Sequence, residues 1–167
     1  GGLTGADLKC RLLAKAQHFH AADRFKAWLS DGEASPLTRF SFTPDPLVLP
    51  NGLQLADELA ALISDGPGDG IRVTETGDTL LKAYVWTNTA FTGERFSTTD
   101  HCAAWTTASK TAKARWGIDA LPEQPPADWS TSSALSCGTK ILPGNCKKLV
   151  SKENPINVRR VTSFRAS

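Results

Sequence analysis

Four cysteines, at positions 10, 102, 137 and 146, are spread over nearly the whole 167-residue chain, and no two of them form a CxxC pair. That spacing argues against a zinc knuckle and a thioredoxin-like motif, which both need closely paired thiols. An even count fits two disulfides. The alternative is four buried free thiols acting as small hydrophobes in a reducing compartment. The choice decides the compartment, and the compartment narrows the function.

The texture of the chain changes near residue 90. Before it, two segments carry helical periods. LTGADLKCRLLAKAQ predicts a helix with Thr4 as N-cap and Asp7 three residues on, Leu8, Leu12 and Ala16 forming its apolar stripe and Cys10 lying toward the edge. LQLADELAALIS (53–64) repeats the pattern with Leu55, Leu59, Leu62 and Ile63. Between them, RFKAWLS (24–30) reads as a strand, and SPLTRF (35–40) as a helical turn capped by Ser35 with Pro36 in first position. Prolines 44, 46 and 50 make 43–52 extended or looped, IRVTETGDTL (71–80) alternates around a Gly-Asp turn, and AYVWTNT (83–89) reads as a strand.

After residue 90, serine, threonine, glycine, proline and tryptophan dominate, which predicts compact loops and short strands. TTDHCAAW predicts a short helix capped by Thr98 or Thr99, ARWG a strand end, and SCGTKIL a strand stopped by the turn LPGN. Helices near the beginning, short strands and a loop-rich second half make an α+β domain. At this length a single domain buries about 70% of its unfolded surface.

Charge is unevenly placed. Residues 147–167 hold Lys147, Lys148, Lys152, Arg159, Arg160 and Arg165 against Glu153, which makes +5 there and leaves −3 before, for a net +2. Such a tail attracts polyanions, and otherwise is simply a solvated terminus. It has no interleaved aromatic platform, so nucleic acid is not expected. No stretch approaches the roughly 20 apolar residues of a membrane span.

Chemical motifs are sparse. The sequence has no GxSxG elbow, Walker loop, HExxH or dinucleotide fingerprint. His18, His20 and Asp23, in HFHAAD, are the best metal-like cluster and would suit a metal-dependent hydrolase if they converged. His101 beside Cys102 admits a thiolate–imidazole reading, although adjacency in sequence seldom makes such a pair. Five tryptophans, at 28, 86, 105, 116 and 129, serve either as core and disulfide cover or as a sugar-stacking surface.

The landmarks GGLTGADLKC, RFKAWLSD, LADELAALISDG, VWTNTAFTGERFSTTDHCAAW and WSTSSALSC, read in order, resemble the endostatin-like branch of the C-type-lectin-like fold. That branch includes the C-terminal domain of certain collagens and bacterial relatives in secreted or surface proteins. The resemblance covers residues 1–146, leaving 147–167 as a basic C-terminal tail. It implies the nested pairing Cys10–Cys146 and Cys102–Cys137, with loop-closure contributions of about 5 and about 4 kcal/mol. Trp105 would then cover the inner bond and His101 would face outward. The family's zinc histidines lie upstream of its first cysteine, where this chain has none, and the calcium motifs Glu-Pro-Asn and Trp-Asn-Asp are absent.

The resemblance therefore implies a secreted or cell-surface, non-enzymatic, monomeric module without cofactor or metal. It would bind a glycan, matrix-like polymer or protein independently of calcium. Its candidate site residues are Trp86, Asn88, Arg95, Trp116 and Trp129, and polyanion binding by the tail is the alternative.

Overall fold

The computed structural model describes residues 1–41, 44–67, 71, 73–74, 76–79, 84–118 and 130–139, and the backbone of 146–147. Helix α1 runs Gly2–Ala16, strand β1 Lys26–Ala27, and helix α2 Pro36–Arg39. Strands β2 (Leu47–Val48) and β3 (Gln54–Ala56) precede helix α3 (Leu59–Asp65). A 3-10 turn at Ala22–Arg24 precedes β1, and strands β4 (Tyr84–Trp86), β5 (Lys113–Ile118), β6 (Ala134–Ser136) and β7 (Cys146–Lys147) follow α3. Among the described residues the strand pairings are antiparallel: β1 with β7, β2 with β3, and a three-stranded sheet in the order β4-β5-β6. The α+β class read from the sequence holds.

Helix α1 differs from its expected form at its start and on its face. It begins at Gly2 with Gly1 as N-cap, so Thr4 caps nothing. Asp7 has a different task. Its carboxylate is buried, accepts from the Ala27 amide at 2.9 Å and pairs with the Arg39 guanidinium at 2.5 Å. Arg39 also donates to the carbonyls of Ala27 and Leu29, so one ion pair ties α1, β1 and α2 together. The buried stripe is Ala6, Asp7, Cys10 and Ala14, whereas Leu8 and Leu12 are 53% and 56% exposed. Small side chains face inward because β1 and the 102–105 turn pack closely against this helix.

Alternation along the segment after α1 builds two cores at once. Ala27 and Leu29 join Ala6, Cys10 and Phe25 on one side. Trp28 points the other way, into a cluster with Leu47, Leu49, Leu55, Leu59 and Leu62. Helix α2 matches its sequence signature: Pro36 opens it and the Ser35 amide donates to Thr38 Oγ1 at 3.1 Å. Helix α3 starts later than its periodicity predicts. A tight turn at Leu49–Gly52 folds Gln54–Ala56 back on β2, so the helix begins only at Leu59.

The second half is knit by buried hydroxyls. Ser30, Thr87, Asn88, Thr89 and Ser130 are fully buried. Ser130 Oγ accepts from the Trp28 indole at 3.0 Å and donates to the Thr89 carbonyl at 2.7 Å, while Thr87 Oγ1 donates to the Ser130 carbonyl. Ser30 Oγ and Thr89 Oγ1 lie 2.8 Å apart. Irregular backbone cannot satisfy its own polar groups in the interior, and these side chains do it instead. Strand β6 precedes Cys137, and residues 137–139 turn, so the strand read in SCGTKIL lies one segment too late where it is described.

Candidate binding surface

Strand β4 carries Tyr84 and Trp86 on one face and buried Val85 on the other. The register sets Trp86 opposite Trp116 and Tyr84 opposite Ile118. Tyr84 and Trp116 meet edge to face, with ring centroids 4.9 Å apart and planes at 90°. Tyr84 is 37% exposed and Trp116 half-buried, while Trp86, on the same face, is buried with Ala114 and the Cys102–Cys137 pair. The result is an aromatic ridge on a sheet whose inner side is anchored. Trp116 Nε1 is buried beside it without a hydrogen-bond partner.

A second exposed aromatic lies in the loop before the left-handed turn. Phe96 is 48% exposed, and the Arg115 guanidinium lies 4.2 Å from its ring centroid. Arg115 is held by Asp100 at 3.4 Å and by the Ser132 carbonyl at 3.2 Å. The cation, held by these two partners, stacks on the exposed aromatic face of Phe96.

The candidate residues divide accordingly. Trp116 belongs to the ridge, and Trp86 is buried alongside it on the same face. Asn88 offers nothing to a ligand: it is fully buried with φ +46°, its amide donates to the Ser97 carbonyl at 2.8 Å, and its Oδ1 accepts from the Ser97 amide at 3.1 Å. Arg95 is exposed and donates to the Gly32 carbonyl. Trp129 lies outside the described residues, as do Lys148, Lys152, Arg159, Arg160 and Arg165, and only the backbone of Lys147 is described. Sequence reasoning missed Tyr84 and Phe96. Tyr84 stands two residues before Trp86 on a strand, which puts both on one face, whereas Phe96 carried no comparable signal.

The Cys102–Cys137 disulfide is formed, with Cα atoms 5.7 Å apart. Cys10 is also disulfide-bonded, but the side chain of Cys146 lies outside the described residues. Around Cys102 the expected short helix is a left-handed turn: Cys102, Ala103, Ala104 and Trp105 have φ between +49° and +64°. Four such residues are costly for L-amino acids, and persist only where the surroundings fix them. His101 is one of the restraints. Its Nδ1 accepts from the Ala104 amide at 2.7 Å and its Nε2 bonds the Thr98 carbonyl at 2.8 Å, so the ring caps the turn where it was expected to face outward. The Trp105 indole donates to the Ser30 carbonyl at 2.9 Å, joining the turn to the hydroxyl network.

His18 and His20 are exposed, and Asp23 is claimed by Lys15 at 2.7 Å. The hydrogen bond from Lys15, with its charge, holds the Asp23 carboxyl below its ordinary value. Among the described residues no three His, Cys, Asp or Glu side chains converge as a metal site would require. No described helix is long and apolar enough to cross a membrane.

No family model matches the chain, and no curated protein matches it.

Proposed function

We propose that this chain is a non-enzymatic binding module of the endostatin-like, C-type-lectin-like kind. It would be secreted or carried on a cell surface and would recognise a glycan without calcium. The observation that carries the reading is the ridge of Tyr84 and Trp116, an edge-to-face aromatic pair lying partly open on an anchored sheet. The apolar C–H face of a pyranose stacks on such a ring, and a platform fixed before binding loses little side-chain entropy on capture. The Cys102–Cys137 bond beside the ridge is compatible with an extracellular setting, where disulfides persist.

The test is a glycan array in the presence of a calcium chelator, followed by titration calorimetry on the best ligand. Tyr84→Ala and Trp116→Ala are each expected to weaken binding by about tenfold, equivalent to ~1.4 kcal/mol. Binding that both variants retain would take the ridge out of the site. Binding abolished by deleting residues 148–167 and weakened steeply by salt would assign recognition to the basic tail instead.

A further inference from the structure

The β2–β3 hairpin carries the only Asn-Gly pair in the sequence, Asn51-Gly52, and both residues are exposed at its tip. Residues Leu49 to Gly52 form the turn: the Gly52 amide donates to the Leu49 carbonyl at 2.9 Å, and the Leu49 amide to the Leu53 carbonyl at 2.7 Å. Pro50 occupies the first central position and Gly52 follows with φ +86°, the form of a hairpin turn closed by a glycine bulge. A Cβ added at Gly52 would meet nothing within 4 Å, so no other part of the chain packs against the tip at this residue's side-chain position. The Asn51 side-chain oxygen accepts from the Leu53 amide at 3.1 Å.

We infer that Asn51 is a site of spontaneous deamidation and isomerisation, at which the folded hairpin assists its own modification. The Gly52 nitrogen, having lost its proton to water or buffer base, attacks Asn51 Cγ. The N–Cγ bond forms, and the electron pair of the carbonyl moves onto Oδ1. The Leu53 N–H already points at that oxygen and stabilises the charge growing there, as an oxyanion-hole donor does. Collapse of the intermediate breaks the Cγ–Nδ2 bond, and the nitrogen leaves as ammonia after taking up a proton. Water then opens the cyclic imide: attack at Cγ breaks the new N–Cγ bond and gives aspartate, whereas attack at the main-chain carbonyl carbon breaks the original C–N bond and gives isoaspartate, with the chain running through the side chain. The attack requires that the Gly52 N–H leave the Leu49 carbonyl and that the Asn51 side chain turn its Cγ to that nitrogen, a local opening at the exposed tip of a two-stranded hairpin.

Three features separate Asn51 from Asn88, the other described asparagine. Asn88 precedes the β-branched Thr89, is fully buried, and has both ends of its amide engaged. Modification at Asn51 adds a negative charge, and isoaspartate adds a backbone methylene inside the turn that sets the register of β2 on β3.

The experiment incubates the full chain at mildly alkaline pH and follows it by peptide mapping with mass spectrometry. A synthetic peptide of residues 47–56 is carried alongside. The Asn51 peptide of the folded protein is expected to gain the mass of an amide-to-acid exchange, to split into aspartate and isoaspartate forms, and to outpace Asn88. Gly52→Ala is expected to slow it by about tenfold, since a Cβ hinders attack at the nitrogen. Because that variant also perturbs a positive-φ position, Leu53→Pro, which removes the donor to Oδ1, is measured too, with folding checked by circular dichroism. Its rate is expected to fall toward that of the free peptide. An Asn51 that stays intact in the folded protein while the peptide deamidates would overturn the inference.

Discussion

At the scale of single residues, the ion pair between Asp7 and Arg39 shows how a polar residue at a core position is used. Both side chains are nearly buried, at 11% and 12% exposure, and Asp7 also takes the Ala27 amide. Removing one charge leaves the other desolvated and unpaired, which costs more than the pair is worth. Arg39→Met is therefore expected to lower stability by about 3 kcal/mol in urea unfolding. A loss below about 1 kcal/mol would mean that Asp7 finds water or another donor. Asp23 is the exposed counterpart. Its carboxyl is held below 3.8 by the hydrogen bond and charge of Lys15, so the pair contributes above the unfolded value and fades as pH falls through the folded one. Carboxyl titration by NMR should place Asp23 below 3.8, and Lys15→Ala should bring it back up.

At the scale of elements, local signals succeeded where local chemistry decides and failed where packing does. Ser35 and Pro36 located α2, and the Gly-Asp turn at 77–78 forms, with the Gly77 amide on the Thr74 carbonyl at 3.0 Å. The apolar stripe of α1 was read as Leu8, Leu12 and Ala16, yet the helix buries Ala6, Cys10 and Ala14 on the side that β1 and the 102–105 turn pack against. Likewise the helical period of 53–64 was right only from Leu59, since hairpin pairing won over propensity in Gln54–Ala56. The left-handed turn had no signal at all, because no residue in CAAW favours positive φ. These corrections give opposite expectations for two changes on one helix. Leu12→Ser should alter stability by no more than about 0.5 kcal/mol, whereas Ala14→Leu should cost about 2 kcal/mol by overpacking. Thermal unfolding of the pair would reverse that order only if the leucines faced a partner.

At the scale of the molecule, two devices hold the described part of the second half, which has few regular elements. One is the hydroxyl network in which Ser130 meets Trp28 and Thr89, while Thr87 reaches the Ser130 carbonyl and Ser30 meets Thr89, so that buried side chains of the first half anchor the second. The other is the Cys102–Cys137 bond, which spans 35 residues and fixes a turn that the backbone would not choose. They meet at Trp105, whose ring packs beside the disulfide and whose indole donates to Ser30. Loop-closure entropy puts the bond at about 4 kcal/mol, from which relaxation of the left-handed residues on release must be subtracted. Replacing both cysteines by alanine is therefore expected to cost about 3 kcal/mol. Urea unfolding followed by tryptophan fluorescence and far-ultraviolet circular dichroism would measure it. A cost near zero would mean that the hydroxyl network alone holds the half-domain. A cost well above that figure would mean that the network depends on the staple, so that Trp105 loses Ser30 when the bond is gone.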